Sequence, residues 1–294
     1  FETEDHRNWS DASYKTYCTP IELPFPAKVS KGEKIEQEAR ISLEGIASKE
    51  PEPSEVEISI DISPSEIDLP DIGLCLANDY SDSDHQDFKE LCIKHLRLDL
   101  DLDDVDENSL GSALEVTKKL SLKLEISIKA ATNYQLSKFL TTNLDLLGSV
   151  SNFIIFSKSS KVTTTEFISV ARQVLGGAAC ISGGTDLYFT EINRGDSVVP
   201  GIDQINFSLN PQVHSFDDRT LIQNLATQEV IAVNAARIAG DKSISVGPIT
   251  LCPRFNPNAT QPDRDVSNDS LPASVDARQR TWFTEAWTAI SIKY

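Results

Sequence analysis

Methionine is absent from the 294 residues, and the chain opens on Phe1 with no initiator and without the basic and apolar regions of a signal peptide. The start therefore reads as a cut or processed end. No run approaches the roughly 18 to 20 consecutive apolar residues that a membrane helix requires, which argues against a spanning segment. Positive charge is also scarce: 27 Lys and Arg face 45 Asp and Glu, a formal net charge of −18. Such a field repels phosphate backbones and anionic lipid, so nucleic-acid and membrane-surface partners are not expected. A neutral or cationic small molecule fits better.

The five cysteines, Cys18, Cys75, Cys92, Cys180 and Cys252, are odd in number, widely spread and form no CxxC pair. Four lie in or beside apolar runs, as buried reduced thiols of a cytoplasmic protein do, and a disulfide framework is not expected. A GxSxG elbow is missing, which argues against a serine esterase. GxxxxGK[ST] is missing too, and with it phosphate cradling by a P-loop. With four His and no His pair or His-carboxylate set at ligand spacing, neither a metal nor a cofactor is expected. The acidic LDLDLDDVDE run (98 to 107) lacks the EF-hand register and reads as a strand end plus a solvated helix start.

What remains is patterned in two ways. Residues 1–65 hold alternating or β-rich runs, SYKTY, IELPF, KIEQEARISLEG and EVEISIDIS, as in an antiparallel sheet with one wet side; this predicts part of a β-sandwich domain. Residues 66–294 alternate apolar strands with amphipathic helices: IGLCLA, HLRLDL, KLEISI, NFIIFSK, AACIS, QINFSL and SISVGPITL are the strand candidates. Parallel strands covered on both faces are the consequence. Seven units are visible, which predicts a (β/α)8 TIM barrel whose closing strand lies beyond Tyr294. A doubly wound open sheet is the alternative, but the turn after the first strand, NDYSDSD, has no glycine.

In a barrel, chemistry sits where strands end. After AACIS come Asp186, Tyr188, Glu191 and Asn193; after QINFSL come Asn210, Gln212 and His214; after SISVGPITL come Arg254 and Asn256. Glu191 among apolar neighbours suits a general acid or base, and His214 suits proton transfer near neutrality. An Arg fork beside amides suits hydroxyls, carboxylates or an oxyanion. Asp186 follows two glycines that let the backbone approach a ligand. The N-terminal cluster Asp5, Arg7, Asn8 and Trp9 has the composition of sugar recognition, and an interdomain polar network would look the same. For each residue a bland reading stands beside the functional one: a surface carboxylate, a loop His, Asn-Pro-Asn turn chemistry. His6, His85 and His95 read as structural or exposed.

The segments GGTDLYFTEINR (183 to 194), INFSLNPQVHSFDDRTLIQNLATQ (205 to 228), VGPITLCPRFNPNAT (246 to 260), VDARQRTWFTEAW and EDHRNWSDASYKTY resemble the bacterial D-apionate lactonase family. That resemblance implies an N-terminal β-domain joined to a TIM barrel, and hydrolysis of the lactone of a branched sugar acid in apiose breakdown. The family continues with a further strand ending in Glu and a GWRG-like segment, to which nothing here corresponds. The substrate expected is a small sugar lactone, with a retaining glycoside hydrolase and a non-catalytic carbohydrate-binding protein as alternatives.

Overall fold

The computed structural model describes residues 2–17, 26–36, 38, 40, 42, 44–45, 69–76, 88, 90–106, 108–195, 198–254 and 276–294. They fall into two units, Phe1–Glu4 with Tyr14–Pro70, and Asp5–Ser13 with Asp71–Tyr294. In the first, strands β1 (Glu2–Asp5) and β2 (Tyr14–Tyr17) form a two-stranded sheet. The runs IELPF and EVEISIDIS, with Cys18, lie outside the described residues.

The second unit is a seven-stranded parallel sheet in sequential order: β3 (Gly73–Cys75), β4 (His95–Asp101), β5 (Lys123–Ala130), β6 (Val150–Ser157), β7 (Ile181–Tyr188), β8 (Gln204–Leu209) and β9 (Ser243–Ile249). Sequential parallel order with helical crossovers is the α/β barrel arrangement. The sheet is nearly closed. Arg97 of β4 donates through Nη1 to the Gly247 carbonyl of β9 at 3.1 Å. The crossovers are α1 (Ser109–Leu120), α2 (Asn133–Thr142) with the single turn α3 (Leu144–Leu147), α4 (Thr165–Leu175), α5 (Phe189–Arg194), α6 (Asp218–Gln223) and α7 (Leu225–Ala239), and α8 (Trp282–Lys293) follows β9.

Strand residues point alternately to the two faces of the sheet, and here the two sets differ in kind. Leu98, Leu100, Leu124, Ile126, Ile128, Phe153, Ile155 and Phe207 join helix residues such as Leu136, Leu140, Phe167 and Ile231 in one buried apolar cluster. The other set is polar: Arg97 and Asp99 on β4, Glu125, Ser127 and Lys129 on β5, Asn152 on β6, Ser182 and Asp186 on β7, Gln204 and Asn206 on β8. The hydrophobic core is therefore the shell between sheet and helices, and the space inside the sheet is a polar lining.

Two details depart from the sequence reading. β7 does not stop at AACIS but runs through GGTDLY, so Asp186 and Tyr188 are strand residues. Glycine makes that possible, although not by approaching a ligand: Gly184 has φ +125°, and a Cβ there would lie 2.2 Å from the Asn206 carbonyl oxygen of β8. The ladder between β7 and β8 shifts register between Gly184 and Tyr188, which re-aims the following side chains. Between β8 and β9 the chain forms two helices, α6 and α7, which meet at Asn224. Finally, Cys75 and Cys92 are exposed rather than buried, because the first is on the short outermost strand and the second in the turn before β4; both are free thiols, as are Cys180 and Cys252.

Candidate active site

At the carboxyl ends of the strands a chain of charges crosses from β4 to the segment after β9. Arg254 donates through Nη1 to Asp186 Oδ1 at 2.8 Å and through Nη2 to Asp99 Oδ2 at 2.9 Å. Lys129 Nζ holds the other Asp186 oxygen at 3.0 Å, and Arg97 Nε holds the other Asp99 oxygen at 2.9 Å. Burial opposes ionisation of Asp99, but the Arg97 and Arg254 guanidiniums beside it keep its carboxyl below the ordinary carboxylate range. Burial likewise weighs against the Arg254 cation, and Asp99 and Asp186 more than restore it. Both partners therefore stay charged at neutral pH. Tyr188 is raised above the usual phenol value by burial, against the opposing effects of the Asn210 amide and Arg254, so it is a neutral hydroxyl donor.

Two spaces open on this network. A cleft of about 240 Å³ is lined by Lys129, the segment Phe156–Thr163, Asp186 and Leu187. A pocket of about 10 Å³, room for about one water molecule, lies among Asp186, Tyr188, Ser208, Leu209, Thr250 and Arg254. On β4, Arg97 Nη2 is a buried donor with no hydrogen-bond partner among the described residues. The charged and hydroxyl groups that line the two spaces are what a polyhydroxylated ligand needs.

A second cluster joins the β8–α6 loop to the segment 5–13. His214 Nδ1 lies 2.7 Å from Asp11 Oδ2; the Asp11 side chain is 7% exposed and that of His214 47%. The His6 ring stacks on His214 with centroids 4.6 Å apart, and its Nδ1 lies 3.1 Å from Ser13 Oγ. Asn224, buried where α6 meets α7, aligns the two segments. Its side-chain oxygen accepts from Ala12 N at 2.7 Å and its amide donates to the Pro211 carbonyl at 2.8 Å. One donor atom from each of His6, Asp11 and His214 lies within 4.8 Å of the others. The sequence shows no ligand spacing because two of these residues are about two hundred positions from the third, and His6, read there as structural or exposed, gains His214 as its neighbour only in the fold.

The remaining candidates divide. Glu191 opens α5, and its carboxylate lies 3.5 Å from Lys161 Nζ and 3.7 Å from Arg194 Nη1. Gln212 is buried and its amide nitrogen donates to the Leu251 carbonyl at 2.8 Å and to Asp276 Oδ2 at 2.6 Å, while Asn210 Oδ1 accepts from Gln212 N at 3.0 Å. Gln212 thus fastens the His214 loop to the chain after β9. Asp5 caps the 3-10 turn His6–Trp9 and grips Arg7, whose hydrogen bond holds the Asp5 carboxyl below the ordinary range. Trp9 lies under the Arg194 guanidinium at 4.9 Å. Asn193 is exposed on α5. The Asn8 side chain and all of Asn256 lie outside the described parts. Sequence reasoning passed over Asp11, Lys129, Arg97 and Asp99.

The sequence profile of the D-apionate lactonase TIM barrel domain matches residues 72–294, and that of the N-terminal domain matches residues 1–46. The chain belongs to the D-apionate lactonase family. A D-apionate lactonase of Brucella anthropi is 26% identical over 99% of this chain and 52% of its own length, so the chain spans about half of that relative. Among solved structures, an endo-β-1,4-mannanase from Thermotoga petrophila has a TM-score of 0.42 at 12% identity, covering 63% of this chain and 62% of its own. A monomeric dihydrodipicolinate synthase variant has a TM-score of 0.34 at 9% identity, with 60% and 61% covered. Likenesses of that size support nothing about the activity of this D-apionate lactonase family member. Among its described residues, no helix is long and apolar enough to cross a membrane.

Proposed function

We propose that the chain hydrolyses a sugar-acid lactone of the D-apionolactone kind at the carboxyl end of its barrel, with His214 as the base. The observation that carries this reading is the His214–Asp11 contact of 2.7 Å, in which a buried carboxylate fixes one imidazole nitrogen and leaves the other for water. Family membership supplies the substrate class. Of the two bases considered, Glu191 is the weaker, because Lys161 and Arg194 flank its carboxylate.

In the reaction, His214 Nε2 takes a proton from water as the water oxygen attacks the lactone carbonyl. Arg254, cationic and aligned by Asp99 and Asp186, carries the charge that develops on the carbonyl oxygen. When the tetrahedral intermediate collapses, the ring oxygen leaves and recovers the proton from His214, giving the open hydroxy acid. Asp186, Tyr188, Lys129 and Asn210 bind substrate hydroxyls. Glycoside cleavage by a carboxylate pair is less well supported, since Asp99 and Asp186 have their oxygens engaged by Arg97, Arg254 and Lys129. The test is a panel of sugar lactones and aryl glycosides with the full-length protein; turnover of glycosides without lactones would sink the reading. The boundary between residues 1–65 and 66–294 stands as part of the same proposal.

A further inference from the structure

We propose that His6, Asp11 and His214 form a binding site for a divalent transition-metal ion such as Zn²⁺, and that the bound ion switches lactone hydrolysis off. The first half stands on geometry alone; the second rests on the reading of His214 as the base.

Two imidazoles and a carboxylate are a donor set that first-row divalent ions favour over Mg²⁺ or Ca²⁺, which take oxygen donors. The three donor atoms already lie within 4.8 Å of one another. Tetrahedral ligands at about 2.0–2.2 Å from zinc are roughly 3.3–3.5 Å apart, so side-chain movements of about an ångström complete the shell. The support around the site resembles what metal ligands require. The His6 ring is pinned through its Nδ1 by Ser13 Oγ, and the loop is closed by the His6 N to Ser13 O hydrogen bond of 3.1 Å. Asn224 ties that segment to the loop that carries His214. His214 is half-exposed, which leaves an entry path and an open coordination position. The net charge of −18 draws cations toward the surface.

Occupation removes the base whichever nitrogen is used. An ion on Nδ1 takes the place of the proton shared with Asp11, and the ring proton moves to Nε2, which then has no lone pair to offer water. An ion on Nε2 occupies the lone pair directly. No proton or electron is left over in either case, since a neutral imidazole only exchanges its tautomer or donates the pair.

The experiment pairs binding with rate. Zn²⁺ is titrated into chelator-treated full-length protein and bound metal is measured by equilibrium dialysis, with Mg²⁺ as the control. One equivalent of Zn²⁺ is expected, with Mg²⁺ not competing, and His6→Ala and His214→Ala should each weaken binding at least tenfold. Wild-type affinity in both variants, each with a cooperative melt, would overturn the site. In parallel, lactone turnover is followed against Zn²⁺. The wild type should lose turnover as the site fills and regain it with EDTA, and His6→Ala should need at least tenfold more Zn²⁺ for half its own metal-free rate to be lost. Binding without inhibition, or with acceleration, overturns the switch and the base assignment while leaving the site. Absence of binding beside a turnover defect in His214→Ala overturns the site and leaves the base.

Discussion

The two ends of the barrel are both lined with polar side chains, yet they are built to different rules. At the amino end, Glu125, Asn152, Ser182 and Gln204 form a closed layer: Asn152 Nδ2 donates to Glu125 Oε2 at 2.7 Å, and Ser182 Oγ lies 2.9 Å from both Asn152 Oδ1 and Gln204 Oε1. There the partners are strand neighbours that bond one another. At the carboxyl end the partners come from strands far apart in the sheet, carry full charges and border the 240 Å³ cleft. A buried polar layer that satisfies itself specifies the fold, and one that leaves donors over is equipped for a ligand. The polar interior is thus one device used twice, for register below and for chemistry above.

Substitutions can break this contrast. The largest expected effect is at His214: replacement by Gln should lower lactone kcat by about 10²–10⁴ with little change in melting temperature, and Asp11→Asn should fall in the same direction by less. Glu191→Gln in the same assay should cost at least tenfold less than His214→Gln, and the reverse order would transfer the role to Glu191. Arg254→Ala should reduce kcat/KM by about 10²–10³, read in steady-state kinetics. An unchanged value there would mean that the charge chain is structural like the layer below it.

At the amino end the expected pattern inverts. Ser182→Ala leaves the Asn152 side-chain oxygen without its Ser182 donor, while Gln204 Oε1 keeps Asn152 Nδ2 at 3.2 Å, and should cost about 1–3 kcal/mol. That amounts to a fall of about 2–4 °C per kcal/mol in Tm, with kcat preserved. The smallest effect concerns acid. Because Arg97 and Arg254 hold Asp99 below the unfolded carboxylate value of about 3.9, that ion pair contributes stability above this pH and loses it as pH falls through the lower folded value. Arg254→Ala should relax Asp99 upward toward its unfolded value, so the variant should be less stable at neutral pH and lose less of its stability on acidification, a shallower acid limb; an unchanged limb would remove Asp99 from the coupling.

Much of the fold could be read from the sequence because parallel strands and crossover helices leave strong local patterns, and strand ends pointed to Asp186, Tyr188, Asn210 and Arg254, which the fold brings close together. The polar lining was harder to see. HLRLDLD and KLEISIKA each alternate, and alternation alone does not say whether the polar face meets water or the inside of a closed sheet. The glycines of GGTDLY signal a close approach, and at Gly184 the group approached is the backbone of β8. Asp11 carries no local signal, because its importance arises only when Asn224 aligns two distant segments.

That alignment has a consequence for how activity appears during the life of the chain. His214 and Asp11 are 203 residues apart, and a contact of such separation closes late in folding, after the local strand-helix units have formed. The proposed base acquires its partner only once synthesis has passed Asn224 and the early segment has docked. A chain in which that segment has not docked lacks the His214–Asp11 pair, so under the proposed mechanism turnover would report completed docking.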